Sequence, residues 1–382
     1  MRGSIQKRGK ASWRLKFDLP PGPDGKRRTR FLTVRGGKKD AQQKLAEVLA
    51  SLGKGIYVSP SRASVADHVR TRIDLWSTSG VIGAKTTKRY GVLLDKQISP
   101  HLGDTALQRL STNDIEKWHA KLKAAGLASG TIKAAHKVMV KALDDAVRHD
   151  QLARNVCALQ RVPKAATEEV AIITADQIEQ VVSKLKGVAI YPRAMLALFC
   201  GLRAGEILGL RWRSLDLDKR LLHVREATEE VMGQPVTIKE PKTAAGKRTL
   251  TVPDVAIEAL RDHRRQQLEQ RMALGLGKMP DDTLVFAAMN GGPAGTANLS
   301  KQWRGTIKAL GLPDVNFHSL RHSHASMLID AKLDLATISK RLGHANPAVT
   351  LRTYAHRFKT DDAVAADAIN AALGANPVPK SG

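Results

Sequence analysis

The sequence has little of what exported and membrane proteins use. It holds two cysteines in 382 residues, Cys157 and Cys200, both among apolar neighbours. That fits buried free thiols in a reducing cytoplasm better than a disulfide framework. No stretch reaches the ~18 consecutive apolar residues of a membrane span, so no membrane contact is expected. The basic start, MRGSIQKRGK, is followed by no apolar segment, so no secretory signal is expected. No internal repeat is visible. Three histidines crowd into His318-Ser319-Leu320-Arg321-His322-Ser323-His324. The zinc pattern with a glutamate between two histidines is absent there, and no nearby cysteine or carboxylate completes a site, so no metal is expected.

Acidic residues are also scarce: 36 Asp+Glu face 62 Lys+Arg, a formal charge of +26. Such an excess points to a polyanion, most simply nucleic acid. The charge is uneven: net +12 over residues 1–62, +7 over 63–168 and +7 over 169–382. With 42% hydrophobic and 26% charged residues the chain has the composition of a folded protein. At roughly 100–200 residues per domain, its length suggests two to four domains.

The first segment reads as a small sheet followed by a helix. Ser12–Leu19 alternates apolar and polar residues, the period of a strand. A turn cluster, Pro20 to Gly25, precedes a second strand, Arg28–Val34. Ala41, Leu45, Val48, Leu49 and Leu52 then recur at helical spacing. Arg14, Lys16, Arg28 and Arg30 alternate along the strands, so one face is expected to be cationic while the other packs on the helix. A β-sheet of that kind enters a DNA groove. Residues 58–62 read as a linker, and 63–160 as all-helical, with a capped start at Ser111-Thr112-Asn113-Asp114. Lys85, Thr87, Lys88 and Arg89 set hydroxyl and cations together, a composition suited to phosphate contacts. A second linker is expected at 161–169. Beyond it the pattern is mixed: helices at 175–186, 191–200, 203–212, 254–271, 297–310, 318–330, 334–342 and 346–358, strands near 221–227, 235–239, 248–252 and 283–286, and a tail helix within 361–374.

Four segments of this last part attract chemistry. Arg203 and Glu206 sit in an apolar run, where charges need partners or a function; an ordinary i,i+3 pair explains them equally well. Pro241 to Arg248 reads as a cation-bearing hairpin loop. His318 and Arg321 share one helix face. Leu342-Gly343-His344 is followed ten residues after its histidine by Tyr354, which alone reads as a core residue.

In this order, the set Arg203, Lys242, His318-x-x-Arg321, His344 and Tyr354 resembles the active site of tyrosine recombinases, the phage integrase family. The motifs span roughly residues 170–360, and the layout of the whole chain is similar to lambda-type integrases. The resemblance implies a multidomain fold: a small α+β domain (three-stranded sheet plus helix, 1–57) for arm-type DNA sites, an all-α core-binding domain (63–160), and a mainly-α mixed α/β catalytic domain (170–382). It implies a site-specific recombinase of phage or mobile-element DNA, acting on double-stranded DNA in the host cytoplasm as a homotetramer through a Holliday junction. The resemblance also implies a host DNA-bending protein and an excisionase as further partners; no cofactor or ATP is implied.

The resemblance also assigns roles. Arg203 and Arg321 would clamp the non-bridging phosphate oxygens, since the guanidinium fork binds two oxygens at once. His344 would donate to the same phosphate and His318 would assist proton transfer near the nucleophile. Lys242 would protonate the leaving 5′ oxygen. Tyr354 would attack phosphorus to give a 3′-phosphotyrosine, helped towards phenolate by the cationic pocket. Glu206 would orient a cation. Lys239, Lys242 and Lys247 all lie near the loop; Lys242 best matches the family's Lys-Thr-x-x-x-x-Arg pattern. Two other readings compete: a type IB topoisomerase-like enzyme, opposed by the arm-like domain and the Leu-Gly-His motif, and a catalytically inactive DNA-binding regulator, opposed by competent residues at every matched position.

Overall fold

The computed structural model describes residues 3–20, 26–53, 57–58, 60–162, 171–241, 243–354 and 362–373. The chain divides into two compact units, Met1–Thr167 and Glu168–Gly382.

The first unit holds two separate hydrophobic cores. Strands β1 (Gly3–Gly9), β2 (Ser12–Leu19) and β3 (Arg28–Arg35) form an antiparallel sheet in that order, followed by helix α1 (Lys38–Gly53). Leu15 and Phe17 face α1, where they meet Ala41, Leu45, Val48 and Leu52. The register pairs Leu15 with Leu32 and Phe17 with Arg30, while Lys16 pairs with Phe31 and Arg14 with Thr33. Directly paired residues share a face, so the four expected DNA-contacting cations divide. Arg14 and Lys16 lie on the face away from α1, whereas Arg28 and Arg30 lie on the helix-facing side. The expectation of one shared cationic face is therefore corrected. On the outer face Arg14 stacks over the exposed Phe31 ring, 4.5 Å from its centroid.

The second core is all-helical: α2 (Val65–Thr78), α3 (Ala84–Leu93), a π turn Leu94–Ile98 running into α4 (Ser99–Leu102), α5 (Thr112–Ala124) and α6 (Ser129–Arg148). Val65, Val69, Ile73 and Trp76 of α2 are buried against Val138, Met139 and Leu143 of α6 and Trp118 of α5 within one cluster. Helix α5 starts in the expected capping box: Ser111 Oγ accepts from the Asp114 N–H, and Asp114 accepts from the Ser111 N–H at 3.0 Å. Asp145 is buried and accepts from Trp76 Nε1 (2.7 Å) and Arg72, which joins α2 to α6.

The second unit carries α7 (Ala175–Leu185), α8 (Tyr191–Cys200), α9 (Ala204–Leu208), β4 (Leu215–Asp216), β5 (Leu221–Val224), β6 (Ala227–Glu229), β7 (Thr237–Lys239), β8 (Arg248–Thr251), α10 (Asp254–Ala273), α11 (Thr296–Ala309), α12 (Phe317–Asp330), α13 (Leu335–Leu342), α14 (Pro347–Tyr354) and α15 (Asp362–Ala372). Its core centres on α8, whose Met195, Leu196, Ala197 and Leu198 are fully covered. Two expectations are corrected. The helix expected over 203–212 ends at Leu208, because Gly209 passes so close to Ala227 that a Cβ there would lie 2.9 Å from its Cα. The chain then turns extended, and the strand expected at 283–286 is reduced to a single bridge, Leu284 to Arg211. The end of the helix expected over 346–358 lies outside the described residues beyond Tyr354. Among the described residues no helix is long and apolar enough to cross a membrane.

Candidate active site

Helix α8 stops at Gly201, whose φ of 65° is the left-handed conformation that glycine adopts without penalty. A Cβ there would lie 2.5 Å from His324 Cδ2. Two residues on, Arg203 stands at the start of α9, and its backbone N–H and Nη1 both bond Glu206, at 3.0 and 2.8 Å. Glu206 is 5% exposed. Its other partner is Arg248, on a buried position of β8, which reaches Oε1 at 3.1 Å and Oε2 at 2.8 Å. Burial opposes the carboxylate's charge, but Arg248 and then Arg203 outweigh it and hold Glu206 below the usual carboxylate range.

Three guanidiniums converge on one short stretch of backbone. Arg248 Nε donates to the Arg341 carbonyl (2.8 Å), Arg321 Nη2 to the Leu342 carbonyl (2.6 Å) and Arg203 Nη2 to the Gly343 carbonyl (3.4 Å). These are the free carbonyls at the C-terminus of α13, where the helix dipole favours cations. Arg321 also donates to the Gly201 carbonyl, so it closes the C-terminal ends of α8 and α13 together. Gly343, at φ 66°, lets the chain turn there; a Cβ would lie 2.7 Å from Arg248 Nη1. The next residue, His344, is thereby aimed at Arg321. Arg321 can only donate, so His344 Nε2 accepts from Nη2 at 3.0 Å and Nδ1 carries the proton towards Thr350 Oγ1 at 2.7 Å. Burial, then Arg321 and Arg203, push the His344 pKa down to about 4, which leaves the ring neutral. Burial and Arg203 push Arg321 down to about 9, still charged at neutral pH.

Tyr354, at the end of α14, is 5% exposed and packs with Ala325, Ile329, Ile338 and Leu342. Burial pushes its phenol up to about 12 against the pull of Arg321. The expectation of a pocket that favours phenolate is thus corrected: the hydroxyl rests protonated. It is bonded to His322 Nδ1 at 2.6 Å, not to His318. His318 is exposed, one turn earlier on α12 and edge-on to His322, with ring centroids 4.9 Å apart.

The crowded histidines therefore separate. His318 and His322 flank the pocket, while His324 is a core residue that donates from Nδ1 to the Leu198 carbonyl (3.0 Å) and accepts from Arg341 at Nε2 (3.1 Å). Lys242 lies outside the described residues. Lys239 pairs with Glu229, and Lys247 with Glu240 at 2.7 Å. Among the described residues no group of three or more His, Cys, Asp or Glu could hold a metal ion. The structure thus gathers Arg203, Glu206, Arg321, His344 and Tyr354, with His318 at the rim of the group. Arg248, His322 and Arg341 had no role from the sequence. Arg248 was legible as the arginine that closes the lysine-loop pattern, on a strand position that alternation buries.

In the first unit, Lys85, Lys88 and Arg89 are exposed on α3. The Thr87 hydroxyl is taken up inside the fold, 3.1 Å from Ser77 Oγ and 3.3 Å from the Gly83 carbonyl.

Residues 171–361 match the model of the phage integrase family. The chain is 29% identical over 365 residues to an integrase of Streptomyces ambofaciens, covering 91% of this chain and 90% of that protein. It is 27% identical over 349 residues to a XerC-like tyrosine recombinase of Caldanaerobacter subterraneus subsp. tengcongensis, covering 87% and 89%. In fold it is similar to the Tn1549 transposon integrase solved with circular intermediate DNA, with TM-score 0.70, 22% identity, and 81% of this chain and 99% of that one covered. It is also similar to a lambda integrase tetramer solved on a Holliday junction, with TM-score 0.56, 17% identity, and 90% and 96% covered.

Proposed function

The chain belongs to the phage integrase family, and from that premise we propose that its arginine pocket cleaves and rejoins DNA through Tyr354. It is a site-specific recombinase. Its relatives do not favour a supercoil-relaxing topoisomerase or an inactive regulator. One observation carries the site assignment: three arginines and His344 are drawn together at the C-terminal end of α13, with the Tyr354 hydroxyl on His322, next to Arg321 on α12.

Attack on a phosphodiester puts negative charge on a five-coordinate phosphorus, and fixed cations that match that stage lower the barrier. Arg203 is 40% exposed in its side chain and bonds Glu206 through one arm, which leaves donors for a phosphate oxygen. Arg321 supplies the second positive charge. A phosphate drawing Arg321 towards itself frees His344 Nε2, which then carries a proton only if the phosphate's charge sustains it. His318 stands at the rim, in reach of DNA. Lys242 protonates the departing 5′ oxygen. The 3′-phosphotyrosine retains the phosphodiester bond, so a new 5′-hydroxyl rejoins the strand without ATP or a metal.

The two cores of the first unit support three modules in all: the sheet and α1 for arm-type sites, α2–α6 with Lys85, Lys88 and Arg89 for the core site, and the catalytic part. Solved relatives were captured on DNA, one as a tetramer on a Holliday junction. The same assembly for this chain joins two duplexes, with a DNA-bending protein and an excisionase as accessory partners. A nicked duplex that loses its 5′ fragment on cleavage traps the covalent complex. Wild type is expected to form it and Tyr354→Phe to bind DNA without forming it. An adduct on Tyr354→Phe overturns the assignment.

A further inference from the structure

Helix α12 carries two histidines one turn apart, and the Tyr354 hydroxyl is bonded to the second. His322 Nδ1 and Tyr354 Oη are 2.6 Å apart, with ring centroids at 5.7 Å. A phenol is a far stronger acid than a neutral imidazole N–H, so Oη donates and Nδ1 accepts. Burial, then Arg321, hold His322 below the ordinary histidine pKa. Its ring is therefore neutral at neutral pH, with the Nδ1 lone pair already on the phenolic proton.

We propose that His322 is a catalytic residue of strand cleavage, taking the Tyr354 Oη proton at Nδ1 as Oη attacks the scissile phosphorus. The proposal rests on Tyr354 being the nucleophile. The Oη–P bond forms and the P–O5′ bond breaks, its electron pair leaving on O5′. The phenolic proton passes to Nδ1, and O5′ takes a proton from Lys242. In rejoining, a 5′-hydroxyl attacks phosphorus and returns its proton to the lysine, while the imidazolium returns its own to Oη as the P–Oη bond breaks. Both ends of the cycle therefore leave the protein unchanged. The imidazolium stands close to Arg321, so it becomes tolerable only when the phosphoryl group brings negative charge to the same pocket. The base is thus strong when the scissile phosphate is bound and weak when it is not. His318 stands one turn earlier on α12, edge-on to His322 with ring centroids 4.9 Å apart.

The test uses the full chain and a nicked duplex bearing the sequence recovered from DNA trapped on the wild-type protein. Single-turnover cleavage is measured for His322→Ala and His322→Asn, each with tyrosine or a trifluorotyrosine at position 354. Asparagine keeps an acceptor oxygen near Nδ1 without basicity, and its melting curve and DNA binding show whether the fold is intact. Both variants are expected to cleave about 10²-fold or more slowly than wild type, the range of a lost general base. With the more acidic fluorinated phenol, which needs less help, the loss is expected to shrink to less than about tenfold. Wild-type cleavage by His322→Asn, or an equal loss in both phenol backgrounds, overturns the proposal. A covalent adduct on Tyr354→Phe instead marks failure of the nucleophile assignment beneath it.

Discussion

Arg248 closes both oxygens of Glu206, Nη2 on Oε2 at 2.8 Å and Nη1 on Oε1 at 3.1 Å, with both side chains 5% exposed. Removing one member of such a pair strands a buried charge, which costs about 3–5 kcal/mol. Glu206→Ala is therefore expected to lose that much stability in urea titration of the full chain. It also frees the Arg203 arm that Glu206 holds, so cleavage falls further than binding. A loss under about 1 kcal/mol, the value of an exposed pair, is incompatible with this account.

Gly343→Ala tests the turn behind the Leu-Gly-His motif. A left-handed non-glycine residue costs about 1–2 kcal/mol, and here the new Cβ also meets Arg248 Nη1 at 2.7 Å and the Ala245 carbonyl at 3.0 Å. The variant is expected to melt earlier and to lose cleavage through displacement of His344. Gly233→Ala, also at positive φ (79°) but with no atom within 4 Å of its Cβ, is the control. Equal cleavage by the two variants would show that backbone strain alone, not crowding at Arg248, accounts for the effect.

Acid is expected to destabilise the catalytic unit before its carboxylates titrate. Burial, then Arg341, push His324 down to about 3, well below the ordinary histidine value of about 6.5. A histidine lowered on folding binds its proton in the unfolded chain first. Its stabilising contribution is therefore present above pH ~6.5 and lost progressively as pH falls towards the folded value. Each pH unit in that window costs up to about 1.4 kcal/mol for such a group. Thermal melts between pH 7 and 4 should fall steeply in wild type and less steeply in His324→Gln. Parallel slopes would remove His324 from the explanation.

The split of the sheet cations gives a DNA-binding prediction. Arg14→Ala and Lys16→Ala, on the open face, are each expected to lower the slope of log K against log salt by about 1 for the full chain on arm-site DNA. Arg28→Ala and Arg30→Ala, on the side facing α1, are expected to leave it near the wild-type value. The reverse ranking would mean that DNA lies along the helix-facing edge.

Much of this was legible in the sequence because local patterns and local structure agreed. The period-2 run at Ser12–Leu19, the Ser111–Asp114 cap and the helical spacing of Val65, Val69, Ile73 and Trp76 all appear where read. Register was not legible. Alternation tells which residues of one strand share a face, but only the pairing of Phe17 with Arg30 decides which face of the next strand joins them. The helix after Arg203 was read too long because the limit on it is a tertiary contact, Gly209 against Ala227. At the site, residue types and order pointed to Arg203, Arg321, His344 and Tyr354. The hydroxyl's partner was missed because His318 and His322 lie on the same helical face, and only the approach of α14 distinguishes them. The phenol's state was misjudged for a related reason: the pocket's positive charge is visible in the sequence, while the burial that outweighs it is a property of packing.

The covered, protonated phenol of Tyr354 has a bearing on how such a protein survives among its own substrates. A chain of charge +26 meets phosphates everywhere along a genome. An always-ready nucleophile would nick wherever it paused. Here the Tyr354 hydroxyl is buried, with its proton held in the bond to His322. On the proposed role of Tyr354, random encounters along the duplex are expected to leave both strands whole, which keeps search and cutting apart in time.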